Sequence, residues 1–217
     1  MKPIFIIGSG HRESSSFYLP FFQQSAILVS IDGGSDLYKE LNILPDWVIG
    51  DFDSISEDTD KWLKKNSIVR YSYKPLKDFS DFELASQKII QEYTPTQIDL
   101  FCMQGERSDH FLLNLIICEN LLDKGFNSIF HSKKEIIYLI DRNHPLTGKG
   151  NTKDLISIIP CKNMVMIQYT KGLKYELKCE KLRRYSSRGL SNEIIEEFFE
   201  VSILDGQAIV IQTRKSL

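Results

Sequence analysis

Across residues 4–131, short apolar runs alternate with stretches of helical periodicity, and this alternation narrows the possible folds more than any other feature of the chain. Strand-like runs fall at residues 4–7, 26–31, 46–49, 67–73, 98–103 and 127–131. Helical segments fit between them at residues 35–41, 56–65, 81–93 and 109–124. Strict alternation implies βαβ units, a mostly parallel sheet covered on both faces, and right-handed crossovers. Helix starts carry their own signals. Ser80-Asp81-Phe82-Glu83 reads as a capping box, with Phe82, Ala85, Ile89, Ile90 and Tyr93 forming the apolar stripe behind it. Ser54-Ile55-Ser56-Glu57 reads as a second capping box.

After residue 131 the texture changes. Residues 135–140, 155–159, 165–169 and 208–212 read as strands, punctuated by Gly148, Gly150, Gly172 and Gly206. Helical periodicity is poor there, apart from an ambiguous stretch at residues 192–199. The expected architecture is therefore α/β: an N-terminal, mostly parallel, Rossmann-like sheet with flanking helices at residues 1–132, then a C-terminal antiparallel β-sandwich at residues 133–217. A length of 217 residues suffices for one large domain or two small ones.

Bulk properties exclude several classes of partner. A net charge of −2 gives no global field that favours nucleic acid or an anionic membrane. The apolar run after Met1 is too short for a signal peptide, and no run reaches the length of a transmembrane helix. Cys102, Cys118, Cys161 and Cys179 are scattered without a CxxC pair, which argues for free thiols in a cytoplasmic setting and against a zinc site.

In an open parallel sheet, ligands bind beyond the carboxyl ends of the strands. The notable polar groups of the first domain lie at such ends. Asp32-Gly33-Gly34 follows the strand ending at Ile31, and Gly50-Asp51-Phe52-Asp53-Ser54 follows the strand ending at Ile49. Lys77-Asp78-Phe79-Ser80-Asp81 and Gly105-Glu106-Arg107-Ser108-Asp109-His110 follow the next two. Adjacent acids repel unless a cation or a donor lies between them, and a hard cation such as Mg2+ takes oxygen ligands while keeping waters and phosphates. Each acid also has a plainer reading as a turn or helix-cap residue, and Asp81 and Asp109 suit a helix dipole. Four loops carrying acids, two of them with Lys77 and Arg107 as well, favour a metal-polyphosphate site for phosphoryl or pyrophosphoryl transfer. No Walker A sequence is present. Gly8-Ser9-Gly10-His11-Arg12 reads as a flexible loop more than as a phosphate contact. His110 either contacts nucleotide or caps its helix. His131 and His144 read as ordinary polar residues, and Trp47 and Trp62 as core. Glu106 fits a phosphate site only if it points away.

Taken together, these blocks resemble thiamine pyrophosphokinases, as do Gly172-Leu173-Lys174-Tyr175-Glu176-Leu177 and Gly189-Leu190-Ser191-Asn192-Glu193 in the second half. The resemblance implies an α/β nucleotide-binding domain joined to a β-sandwich, a homodimer, and transfer of the terminal pyrophosphate of ATP to the hydroxyl of thiamine, releasing AMP. It implies that Asp51, Asp53 and Asp81 ligate Mg2+, and that Asp53, Asp81, Asp109 and Arg107 carry the chemistry. ATP would be held by Asp32, Gly33, Gly34, Lys77, Asp78, Arg107 and His110, and thiamine by Ser191, Asn192 and Tyr175. The chain departs from the family pattern at Ser80, where a Thr is usual, and at Glu106 and Cys102, where glycines are usual. A pterin-alcohol pyrophosphokinase, a non-catalytic nucleotide or thiamine-diphosphate module, and a glycosyltransferase with a metal-binding Asp-x-Asp remain as alternatives.

Overall fold

The structure is a computed structural model that describes residues 2–72, 79–94 and 97–215. It divides into two compact units, Met1–Phe126 and Asn127–Leu217.

Among the described residues the first unit holds five parallel strands: β1 (Ile4–Ile7), β2 (Ile27–Ile31), β3 (Trp47–Gly50), β4 (Val69–Ser72) and β5 (Gln97–Phe101). Their spatial order is β5-β1-β2-β3-β4, with Ile4 opposite both Ile27 and Ile98, and Trp47 opposite both Val29 and Val69. All four residues of β1 are fully buried, as a strand covered on both faces requires. The sheet grows outward from β1 through β4 and then returns to place β5 on the other side of β1. Strand order therefore reverses at β1, the position where open α/β sheets form a ligand crevice.

Among the described residues five helices accompany these strands: α1 (Ser15–Tyr18), α2 (Gly34–Glu40), α3 (Glu57–Lys65), α4 (Asp81–Glu92) and α5 (Ser108–Asp123). Four of them match the helical segments read from periodicity, to within a residue at each end. The segment between β1 and β2 is different. There α1 and a short 3-10 turn (Phe21–Gln23) supply Phe17, Tyr18, Phe21 and Phe22 to a core with Phe5, Tyr38 and Phe101. The rings of Phe21 and Phe101 lie 4.9 Å apart, and those of Phe5 and Phe22 lie 5.6 Å apart, in edge-to-face contacts. A helix this short carries no readable period, so its aromatic residues gave no helical signal.

Two helix starts show how local chemistry sets boundaries. Ser80 caps α4, its Oγ accepting from Glu83 N at 3.2 Å, as its sequence predicts. The cap of α3 is Ser56, whose Oγ accepts from Thr59 N at 3.3 Å. Ser54, the expected cap, instead spends its hydroxyl on Asp32.

The second unit is antiparallel throughout. One group of strands runs β12-β9-β14-β7-β6, where β6 is Asn127–His131, β7 Glu135–Asp141, β9 Leu155–Pro160, β12 Asn192–Glu193 and β14 Gln207–Thr213. The other sheet runs β11-β10-β13-β8, where β8 is Leu146–Lys149, β10 Met164–Lys171, β11 Lys178–Arg183 and β13 Phe198–Asp205. Side chains from both sheets, among them Tyr138, Ile158, Val210, Val165, Phe199 and Val201, share one core. This is the expected sandwich. The ambiguous stretch at residues 192–199 is β structure: Ile194 is 1% exposed and bridges to Leu173, and Phe199 is fully buried. Burial on a sheet decided what a Glu-rich stretch left open. Among the described residues no helix is long and apolar enough to cross a membrane.

Helix α2 leaves β2 at a point of close approach. A Cβ on Gly34 would stand 2.2 Å from the carbonyl oxygen of Ile7 on β1. Gly34→Ala is therefore expected to lower the free energy of unfolding by about 1–3 kcal/mol, read from urea denaturation, through displacement of α2 from β1. An unchanged urea midpoint would show that the helix start yields without cost.

Candidate active site

The exits of β2 and β3 are built to meet. Gly50, the last residue of β3, has φ +148°, and a Cβ there would lie 3.0 Å from Cβ of Asp32. Glycine is thus the residue that lets the two exits approach. Asp32 itself is left-handed at φ +46° and only 8% exposed. Ser54 Oγ donates to Asp32 Oδ2 and accepts from Gly33 N at 3.1 Å, joining the two loops. Asp53 N donates to Asp51 Oδ1 at 3.3 Å. The outcome is that Asp32, Asp51 and Asp53 offer carboxylate oxygens all within 4.8 Å of one another.

Asp32 is buried, while Asp51 and Asp53 are exposed. Asp32 Oδ1 is buried and has no hydrogen bond. Among the described residues, none of the three forms a salt bridge with lysine or arginine. Burial pushes the Asp32 carboxyl above the usual range, and the charges of Asp51 and Asp53 add to the rise against the opposing hydrogen bond from Ser54. Asp81, in the first turn of α4, is pushed up to about 6, chiefly by burial and then by Asp32, Asp51 and Asp53. Three converging carboxylates, one of which keeps an unpartnered buried oxygen, fit a hard divalent cation.

Beside the acids lies a cleft of about 970 Å³, lined from all of these loops. Asp32, Asp51, Ser54, Ser80 and Asp81 contribute to one side, and Glu106, Arg107 and His110 to another. Gly8, Ser9, Gly10 and His11 complete the wall. This last segment is tied down: Gly8 N donates to Phe101 O at 2.9 Å, Gly10 N to Cys102 O at 2.6 Å and His11 N to Gln104 O at 2.7 Å. The expectation of a flexible loop is corrected by those three bonds. The Gly-Ser-Gly run directly after a strand was the available signal. Glu106 is among the residues that line the cleft, next to Arg107.

The other expected residues fall as follows. Gly33 and Gly34 do not line the cleft: Gly33 binds Ser54 through N–H and Arg12 through its carbonyl, and Gly34 is buried at the start of α2. Asp109 is exposed and off the lining. Its oxygens accept from Arg107 Nε at 3.2 Å and Nη2 at 2.5 Å, and that hydrogen bonding holds its carboxyl below the usual range. Lys77 and Asp78 lie outside the described residues. In the second unit, the Asn192 amide clamps the backbone of Tyr175, accepting from its N at 3.0 Å and donating to its O at 2.7 Å. The Tyr175 ring is left 60% exposed. Ser191 is left-handed at φ +56°, and its N donates to Ser157 Oγ at 3.1 Å. Tyr175, Ser191 and Asn192 are thus brought together from distant parts of the chain.

A parallel α/β sheet with acids gathered at its strand exits, followed by a β-sandwich, defines an enzyme of the phosphotransfer class. Comparison with known proteins narrows this. Residues 18–137 match the family model described as thiamin pyrophosphokinase, catalytic domain, and residues 142–208 match thiamin pyrophosphokinase, vitamin B1 binding domain. The chain belongs to the thiamin pyrophosphokinase family. It is 25% identical over 213 residues to the thiamine pyrophosphokinase of Bacillus subtilis, covering 98% of this chain and 99% of that one. Its fold is shared with the crystal structure of the Bacillus subtilis protein, at a TM-score of 0.86, 24% identity, and coverage of 99% of this chain and 100% of that chain. The structure from Geobacillus thermodenitrificans gives a TM-score of 0.81 at 24% identity, covering 99% of this chain and 98% of that chain. Yeast thiamin pyrophosphokinase gives 0.78 at 15% identity, covering 98% of this chain and 86% of that chain.

The Asp81 carboxyl binds its proton more tightly in the folded state, at about 6, than at its ordinary 3.8. Its contribution to stability is therefore full below pH 3.8 and is lost as pH rises through about 6. With divalent ions chelated, Asp81→Asn is expected to melt above the parent protein at about pH 7.5, with the gap closing toward about pH 4.5. Thermal unfolding at the two pH values checks this. A gap that does not change with pH would show that Asp81 titrates as an ordinary surface acid.

Proposed function

We propose that the cleft seats ATP, with Mg2+ held by Asp32, Asp51 and Asp53 and faced by Asp81. The observation that carries this reading is the convergence of three carboxylates at the exits of β2 and β3, one of them, Asp32, with a buried, unpartnered oxygen. The chain is a thiamine diphosphokinase, moving pyrophosphate from ATP to the hydroxyl of thiamine and releasing thiamine diphosphate and AMP. The paired catalytic and vitamin B1 binding models favour thiamine over a pterin alcohol, and catalysis over a binding module.

Bound Mg2+ supplies charge neutralisation and orientation for the triphosphate. The remaining work falls to the chain. The thiamine hydroxyl oxygen forms a bond to the β-phosphorus, the bond from that phosphorus to the oxygen bridging to the α-phosphate breaks, and AMP leaves with that oxygen. The hydroxyl proton goes to a carboxylate. Asp81 suits this role better than Asp109, because Asp81 lines the cleft while Asp109 is off the lining and committed to Arg107. Arg107 lines the cleft and balances charge on the phosphates. Backbone of the Gly8-Ser9-Gly10 wall approaches the ligand without side chains in the way.

Tyr175, Ser191 and Asn192 form the thiamine seat, delivered by the second copy of a homodimer. Support comes from α5, where Leu112, Leu113 and Ile116 are 59%, 40% and 58% exposed, an apolar face that suits a partner. A cytoplasmic setting is supported by the scatter of the four cysteines without a CxxC pair.

The test is purified protein with ATP, Mg2+ and thiamine, assayed for thiamine diphosphate and AMP. Asp53→Asn is expected to lower turnover by about a hundredfold or more while leaving the melting transition cooperative. Parent-level turnover in that variant would remove the metal from the reading.

A further inference from the structure

Phe52 separates the two acids at the exit of β3, and it stands in the left-handed region at φ +67°. That conformation is costly for an aromatic residue, because its Cβ crowds the neighbouring carbonyl. An extended residue there would hold the Cα atoms of Asp51 and Asp53 about 6.6 Å apart. The left-handed turn instead lets Asp53 N reach back to Asp51 Oδ1 at 3.3 Å, and both carboxylates come within 4.8 Å of Asp32. The turn is the device that makes two acids of one loop converge, and it needs an anchor.

The anchor is on the neighbouring strand. Arg70 on β4 stands opposite Val48 on β3, and its guanidinium carbon lies 4.3 Å from the centre of the Phe52 ring. The guanidinium is itself fixed: Arg70 Nη1 pairs with Asp60 Oδ1 on α3 at 2.7 Å, and the other Asp60 oxygen pairs with Lys64 at 2.6 Å. Arg70 does not line the cleft. Its positive charge is matched by Asp60, so what it offers the loop is a flat cation, tied to α3, against which the ring lies.

We propose that Arg70 is a positioning residue for the acidic site: its stack on Phe52 holds the left-handed turn that presents Asp51 and Asp53 to a divalent cation. The inference rests on the reading of that site as a Mg2+ site. It is tested on the purified full-length protein by calorimetric titration with Mn2+ in the absence of nucleotide. The variants are Arg70→Gln, Phe52→Leu, the double variant, and Phe52→Tyr. Arg70→Gln and Phe52→Leu are each expected to raise the Mn2+ dissociation constant about fivefold, with the double variant no worse than either. Phe52→Tyr, which keeps the ring face, retains the parent affinity. In turnover, the KM for Mg2+ rises in the same proportion, while kcat at saturating Mg2+ stays close to that of the parent.

A purely structural role for Arg70 would lower Tm and leave Mn2+ affinity of the folded protein unchanged; that result overturns the proposal. So do losses that multiply in the double variant. Parent protein that binds no Mn2+ overturns the reading of the acidic site and the proposal with it. Parent protein that binds Mn2+, alongside an Arg70→Gln variant that binds it equally well, overturns the proposal alone.

Discussion

Repulsion among Asp32, Asp51 and Asp53 is the interaction on which the rest of the first unit depends. Two unit charges about 4 Å apart repel by about 4 kcal/mol even at an effective dielectric constant near 20. Three such groups do not gather unless the backbone compels them. Here compulsion comes from parallel pairing of β2 with β3, from the glycine at the end of β3, and from the Ser54 hydroxyl shared between the loops. Without a cation the neighbouring charges add to the rise that burial already imposes on the proton affinities of Asp32 and Asp81. With a cation the same crowding becomes affinity, because the ligand oxygens need no reorganisation.

Topology supplies the rest of the site. Strand order reverses at β1, so the loops after β1, β2 and β5 open onto one crevice. The loop after β1 is bonded to the backbone beyond β5, which turns a glycine-rich run into a wall. Arg12 of that same segment donates to Gly33 O at 3.0 Å, linking it to the loop that carries Asp32. The second unit solves a different problem. There Asn192 fixes the backbone of Tyr175 by two hydrogen bonds and leaves the ring 60% exposed.

Much of this was legible in the residues. Apolar runs and helical periods located the strands and larger helices of the α/β part, because a buried parallel strand and an amphipathic helix leave unlike patterns. Ser80 announced its helix through a short-range bond that any chain with that spacing can make. Other features carried no such local mark. The competition between Ser54 and Ser56 for the cap of α3 was decided by Asp32, which lies 22 residues from Ser54. Strand β13 begins in a stretch rich in glutamate, and its identity comes from the burial of Phe199 against the opposite sheet. Strand β11 buries little beyond Leu182, so it shows almost no alternation to read.

By itself the sequence determined which residue types stand at each strand exit, and with them the chemistry open to this protein, since charge, hydrogen-bonding capacity and backbone freedom belong to the residues. Which acids share one site was decided only by the tertiary structure. Asp32 joins Asp51 and Asp53, while Asp109 turns to Arg107 and leaves the cleft. Spacing along the chain does not encode strand order or the left-handed turn at Phe52, because both follow from packing between segments far apart in sequence.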